Sequence, residues 1–118
     1  MNTTELTERT MEFAVRVLKF ADALPKSVAG RTIANQVARS GCSVAANYRA
    51  ALRGKSRADF VNKITIVLEE ADETAFWLEL AQRAGLMPGK RLDPLHDESI
   101  QLTRIFNATR VTAKNRKS

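Results

Sequence analysis

The segment YRAALRGKSRADF, residues 48–60, predicts the end of one helix, a short turn and the start of a second helix. Gly54 follows the last apolar residue of the first helix and ends it, as glycine commonly does at helix C-termini. Ser56 is suited to cap the second helix, and Asp59 stands at its third position in a capping-box arrangement. Because the turn is short, the two helices are expected to be antiparallel neighbours.

The spacing of apolar residues predicts four such helices, joined by short connections. Their expected bounds are Glu5–Leu24, Gly30–Leu52, Ser56–Ala84 and a last helix from Asp93 to about Ala113. Thr3 or Thr4 is suited to cap the first helix, and Asp93-Pro94 is a typical start for the last. We therefore expect an all-α fold, an antiparallel up-down-up-down four-helix bundle over residues 1–113, and a basic disordered tail over residues 114–118.

Gly41 lies in the middle of the second predicted helix, within the run Arg39–Ser43. A glycine inside a helix costs about 1 kcal/mol relative to alanine. Its presence therefore indicates either a bend in the helix or a neighbour that packs closely against the backbone, and the sequence leaves both open.

Composition excludes several classes of protein. The 118 residues are 44% hydrophobic, enough for one ordinary core, and no apolar stretch reaches the about 20 residues that cross a bilayer. The N-terminal residues include acids and lack an apolar signal region, so we expect a cytoplasmic protein. One cysteine, Cys42, and one histidine, His96, leave no His/Cys metal cluster, and no nucleotide-binding glycine motif is present. The sequence predicts no enzyme, no cofactor and no metal site, and it predicts a small buried thiol for Cys42.

Basic residues outnumber acidic ones by 19 to 13, which gives a net charge of +6. Many of the bases fall on one face of the second helix, in the turn after it and near the C-terminus. The candidate nucleic-acid contacts are Arg31, Arg39, Arg49, Arg53, Lys55, Arg57, Lys114, Arg116 and Lys117. Such a strip is either a solvated face or a surface for phosphates or carboxylates, which arginine binds in a two-pronged geometry.

The third helix has apolar residues on a second face. Ile66 and Trp77 lie more than about 100° from the centre of its main apolar stripe, beside Glu70 and Glu73. This face is either a wide edge of the core or a subunit interface, since tryptophan is enriched at interface hot spots. In the second case, the acids of one copy would face the arginines of a neighbour, and head-to-tail contacts of this kind close into rings.

Three motifs point to a known family. The run RSGCSVAANYRAA, residues 39–51, precedes KSRADFVNK, residues 55–63, and then EEADET and WLEL, residues 69–74 and 77–80. Together they resemble the bacterial four-helix-bundle proteins encoded in intervening sequences of large-subunit ribosomal RNA genes, and the similarity is strongest over residues 39–84. Many relatives have Ile-Ala-Glu-Gly after the asparagine, where this chain has Tyr48–Ala51, so no role of that Glu-Gly pair can be transferred.

The resemblance implies a bundle that assembles as a ring, commonly a pentamer. The chain is also similar to the accessory variability protein of diversity-generating retroelements, a basic pentameric barrel that binds nucleic acid and a reverse transcriptase. Two hypotheses follow. The first is a non-enzymatic homo-oligomer that binds RNA or DNA through phosphates, with a reverse transcriptase as a partner implied by resemblance alone. The second is a structural or protein-binding oligomer whose arginines pair with acids of neighbouring subunits.

Overall fold

The computed structural model describes residues 1–116, which form four helices and contain no strand. The helices are α1 (Thr3–Ala23), α2 (Val28–Ala51), α3 (Arg57–Arg83) and α4 (Gly89–Asn115). Each helix packs against the next along the chain, whereas α1 and α4 touch only sparsely. The bundle is about 50 Å long and 21 Å wide. The predicted all-α four-helix fold is confirmed.

The helix boundaries follow local hydrogen bonds. The Asp59 amide donates to Ser56 Oγ at 3.1 Å, and the Lys55 amide donates to Asp59 Oδ2 at 3.2 Å, which confirms the predicted start of α3. The other three predicted starts differ from the structure, those of α1 and α2 only slightly. The cap of α1 is Asn2, whose Oδ1 accepts from the Glu5 amide at 2.8 Å, so the two threonines lie inside the helix. The α2 helix begins two residues before Gly30, because Ser27 Oγ accepts from the Gly30 amide.

The start of α4 differs most from its prediction. The helix begins at Gly89, more than a turn before Asp93, and Pro94 lies inside it. Burial explains the difference, since Met87 and Leu92 are 5% and 0% exposed and hold this segment against the core. Their packing offsets the one backbone hydrogen bond that the helix loses at a proline.

The end of α4 also lies beyond its predicted position. The helix continues to Asn115, so Lys114 and Asn115 are helical and not part of a tail. Of the remaining predicted tail, Lys117 and Ser118 lie outside the described residues. The last helix therefore presents Lys114 and Arg116 at its C-terminal end.

Close packing, and not a bend, explains Gly41. A Cβ atom at this position would lie 2.6 Å from Val17 Cγ1 and 2.8 Å from Val17 Cγ2. Val17 is fully buried, so α1 approaches the α2 backbone where a side chain is missing. The next pair of helices is joined by the buried hydroxyls of Ser40 and Thr74, which hydrogen-bond at 2.8 Å.

Candidate nucleic-acid interface

One end of the bundle gathers cations from three helices. In an antiparallel bundle the C-terminus of α2, the N-terminus of α3 and the C-terminus of α4 meet at the same end. Six of the predicted contact residues are exposed there, and we call them the basic pole: Arg49, Arg53, Lys55, Arg57, Lys114 and Arg116. The fold thus joins residues that are up to about 65 positions apart in sequence.

Two surface cavities show that the helix ends adjoin one another. Arg57 of α3 and Lys114 of α4 line the same cavity. Arg116 lines a second cavity together with Leu6 of α1 and Phe60 of α3. The C-terminal end of α4 therefore lies beside both α1 and α3, and the cations on these elements share one surface.

The charge of the basic pole is largely uncompensated. Within residues 1–116, five of its charged side chains form no ion pair and no hydrogen bond: Arg49, Arg53, Lys55, Lys114 and Arg116. Clustered charges of one sign raise the local concentration of oppositely charged partners. The surface is suited to bind a polyanion through its backbone.

Arg31 and Arg39 do not join this cluster, so the predicted basic strip on α2 is divided. Arg39 lies midway along the bundle, where Nη1 donates to Glu70 Oε2 at 2.9 Å and Nη2 donates to Glu73 Oε2. The hydrogen bond to Glu73 raises the pKa of Arg39 above its ordinary value. Arg31 lies near the opposite end and donates to the carbonyl of Lys26.

The same geometry gives Glu70 and Glu73 a partner within the chain. The subunit-interface alternative would have them face arginines of a neighbour, and in the single chain they pair with Arg39. Because α2 and α3 pack side by side, the opposite charges meet within the bundle. These two carboxylates are therefore already engaged in a single copy.

The outward face of α3 is more apolar than the sequence predicted. Trp77 is only partly exposed: it packs against the core and its Nε1 donates to Glu73 Oε2 at 2.9 Å. Phe76 is 56% exposed, and Ile66 and Leu80 on the same helix are 39% and 38% exposed. We call these three residues the α3 ridge. Phe76 and Leu80 were not predicted to belong to this face, although their four-residue spacing opposite the core stripe is a usable signal.

A groove between α1 and α2 forms a second apolar surface, of about 380 Å³. Its α1 side carries Met11, Val15 and Leu18, all exposed. Its α2 side consists of small residues, and Arg49 lies at its edge. We call it the α1/α2 groove. Cys42, predicted to be buried, is half-buried and lines this groove.

Metal clusters and membrane spans are both absent from the described part of the chain. No group of three or more His, Cys, Asp or Glu side chains in it could hold a metal ion. None of the helices within residues 1–116 is both long enough and apolar enough to cross a membrane.

Comparison with known proteins identifies a family and similar solved structures. The profile of the family described as "23S rRNA-intervening sequence protein" matches residues 2–108. The chain is also similar to a Bacteroides thetaiotaomicron protein, described as a protein with unknown function from the S23 ribosomal protein family. The two are 33% identical, the match covers 88% of this chain and 96% of that one, and the TM-score is 0.83. No curated protein matches the chain significantly.

Proposed function

The chain belongs to the 23S rRNA-intervening sequence protein family, and on that premise we propose that it is a non-enzymatic, cytoplasmic homo-oligomer that binds RNA or DNA phosphates. The observation that supports this most is the basic pole, where three helices contribute exposed cations. Lys and Arg side chains that neutralise phosphates release condensed counterions, which is the main source of sequence-independent affinity.

Binding through the backbone, and not through stacked bases, fits the position of the aromatic residues. Tyr48 is the aromatic residue closest in sequence to the cations, but it is 4% exposed and packs on Phe106 at a ring distance of 5.4 Å. Phe60 lines a cavity with Arg116, but it is partly buried and packs against the core. Single-stranded nucleic acids that bind by stacking need exposed aromatic rings beside the cations. We therefore propose little sequence preference.

Self-association is the second part of the proposal. The α3 ridge of one copy is suited to enter the α1/α2 groove of the next, because the ridge projects large apolar side chains and the groove is lined by small ones. The charges also match, since Glu69 lies on the ridge face and Arg49 lies at the groove. A ridge and a groove on different faces make a head-to-tail contact, which closes into a ring when the rotation permits. A pentamer is the ring that the family resemblance implies.

The assembly would strengthen the binding of nucleic acid. In a ring whose axis runs along the helices, every basic pole lies on the same rim. A strand that contacts one pole then reaches the next at a high effective concentration, which raises the overall affinity without any new kind of contact.

A salt titration tests the binding. Fluorescence anisotropy of a labelled, mixed-sequence single-stranded RNA or DNA should show affinity that falls steeply as salt is raised. Each phosphate contact adds about 0.7 to the slope of log affinity against log salt for single strands. The triple variant Arg53→Gln/Lys55→Gln/Lys114→Gln should reduce that slope by about 2 for each protomer that contacts the strand.

The matched control removes the same charge elsewhere. Lys26→Gln/Arg83→Gln/Arg104→Gln neutralises three exposed cations away from the basic pole and should leave the slope nearly unchanged. Equal losses in both triple variants would mean that net charge alone governs binding. Absence of binding at low salt would reject the nucleic-acid role.

The second candidate is a structural or protein-binding oligomer without nucleic acid. The apolar character of the α3 ridge and the α1/α2 groove favours it, since both surfaces suit a protein partner. Pairing of Arg39 with acids of a neighbouring subunit is not favoured, because Arg39 pairs within its own chain. A reverse transcriptase, which the resemblance alone implies, would be one such partner. An oligomer that shows no salt-dependent binding of the labelled RNA or DNA would favour this candidate.

A further inference from the structure

A pocket of about 230 Å³ lies between the C-terminal half of α1 and the first turns of α4, at the end of the bundle opposite the basic pole. Its lining combines three cations with three apolar side chains: Arg16, Lys19, Arg91, Phe20, Met87 and Leu95. The combination of positive charge and apolar surface is characteristic of sites for organic anions.

The apolar part of the lining is rigid because it belongs to the core. Phe20, Met87 and Leu95 are 8%, 5% and 5% exposed, and all three pack in the main hydrophobic cluster. The pocket therefore does not depend on loose surface side chains. A flat or apolar group that enters it would contact the small part of these three side chains that remains exposed.

The cations of the pocket are unpaired. Arg16, Lys19 and Arg91 form no ion pair or side-chain hydrogen bond with any residue in the described range 1–116. Three like charges around so small a space repel one another, and an anion between them would relieve the repulsion.

The charge of this pocket differs from that of the rest of the contact between α1 and α4. Further toward the N-terminus of α1, Arg9 donates two hydrogen bonds of 2.7 Å to the Glu98 carboxylate. Glu5, Glu8 and Glu12 line that neighbouring cavity, which Arg16 also borders. The contact between α1 and α4 is thus acidic at one end, where Arg9 pairs with Glu98, and basic with unpaired cations at the other.

The N-terminus of α4 adds positive potential at the pocket. The helix starts between two lining residues, Met87 and Arg91, and its N-cap Pro88 supplies no side-chain hydrogen bond to the first amides. Free amides and the aligned peptide dipoles at a helix N-terminus attract anions. This contribution supports the side-chain cations.

We propose that this pocket binds a small organic phosphate about the size of a nucleoside monophosphate. The phosphate lies among Arg16, Lys19 and Arg91, and the base covers Phe20, Met87 and Leu95. The volume is slightly below the range of about 300–1,000 Å³ that is usual for ligand pockets, which limits the ligand to this size. The site is separate from the basic pole, so the proposal does not depend on nucleic-acid binding there.

Isothermal titration calorimetry at low salt tests the site with adenosine monophosphate, adenosine and inorganic phosphate as separate probes. Adenosine monophosphate is expected to bind at least about tenfold more tightly than either part alone, since only it uses both the cations and the apolar floor. The double variant Lys19→Gln/Arg91→Gln alters two exposed side chains and should weaken this binding by at least about tenfold. Arg16 is left intact because it is partly buried.

Two controls separate this site from general electrostatics. Lys26→Gln/Arg104→Gln removes the same charge elsewhere and should change the affinity for adenosine monophosphate less than twofold, and so should the triple variant at the basic pole. The proposal is overturned if adenosine monophosphate does not bind at about 1 mM, if inorganic phosphate binds equally well, or if a control variant loses as much as Lys19→Gln/Arg91→Gln.

Discussion

Replacing Gly41 by alanine sets two effects of opposite sign against each other. In a helix interior, alanine is favoured over glycine by about 1 kcal/mol. The new Cβ, however, would lie 2.6 Å from Val17 Cγ1, below any normal contact, and Val17 is fully buried. Overpacking of a close-packed core costs about 1–3 kcal/mol. Because both γ-methyl carbons of Val17 are closer than 3.0 Å, we expect the upper part of that range and a net loss of about 1–2 kcal/mol.

Urea unfolding followed by helical circular dichroism measures this loss, at one fixed protein concentration because an oligomer's stability depends on it. A double-mutant cycle with Val17→Ala gives the decisive control. Val17→Ala alone leaves a cavity and should destabilise the fold, but in that background Gly41→Ala should be stabilising, since its methyl group fills the space. If Gly41→Ala raises the free energy of unfolding in the wild-type background, the close approach of α1 and α2 is wrong.

Three further predictions concern other parts of the bundle. Phe76→Ser should lower the oligomeric state more than Trp77→Ala, because Phe76 is 56% exposed and Trp77 packs on its own core. Sedimentation velocity at micromolar concentration measures the oligomeric state of both variants. Full assembly of both would exclude this face of α3 as the subunit interface. Burial raises the pKa of Tyr48, so the absorbance of this single tyrosine should titrate above the usual tyrosine pKa of about 10. The stability that the neutral side chain provides should be lost as the pH rises from about 10 through the raised pKa. A titration midpoint at about 10 in the folded protein would contradict the burial of Tyr48. Arg9→Gln removes two hydrogen bonds to the Glu98 side chain, which is 14% exposed. It should lower the free energy of unfolding in urea by about 1.5–3 kcal/mol. A loss no larger than that caused by the exposed Arg104→Gln would show that the Arg9–Glu98 ion pair contributes little.

Where the decisive interactions are local, the sequence was sufficient to predict the fold. Ser56 and Asp59 form their hydrogen bonds within four residues, and the start of α3 was therefore predictable. The start of α4 was not, since Asp93-Pro94 is a strong local signal that the burial of Leu92 overrides. That burial depends on how α4 lies against the other helices, which residue spacing does not specify.

The candidate site was likewise predictable only in part. The antiparallel order alone places Arg53, Lys55 and Lys114 at one end, so a correct count of helices predicts the basic pole. The pairing of Arg39 with Glu70 depends on the register between α2 and α3, which the periodicity of either helix leaves undetermined. The periodicity placed Trp77 either at a wide core edge or at a subunit interface, and its indole packs against the core and donates to Glu73. The neighbouring Phe76, for which no role was predicted, is the exposed ring.

Native mass spectrometry of the purified protein, with and without a short mixed-sequence oligonucleotide, tests the central claim most directly. Copies that associate and present their basic poles together should give a mass that is a multiple of the 13.1 kDa chain, and this assembly should gain one oligonucleotide that dissociates as salt is raised. A 13.1 kDa monomer that binds no oligonucleotide, at concentrations well above those in the salt titration, would contradict both the assembly and the interface.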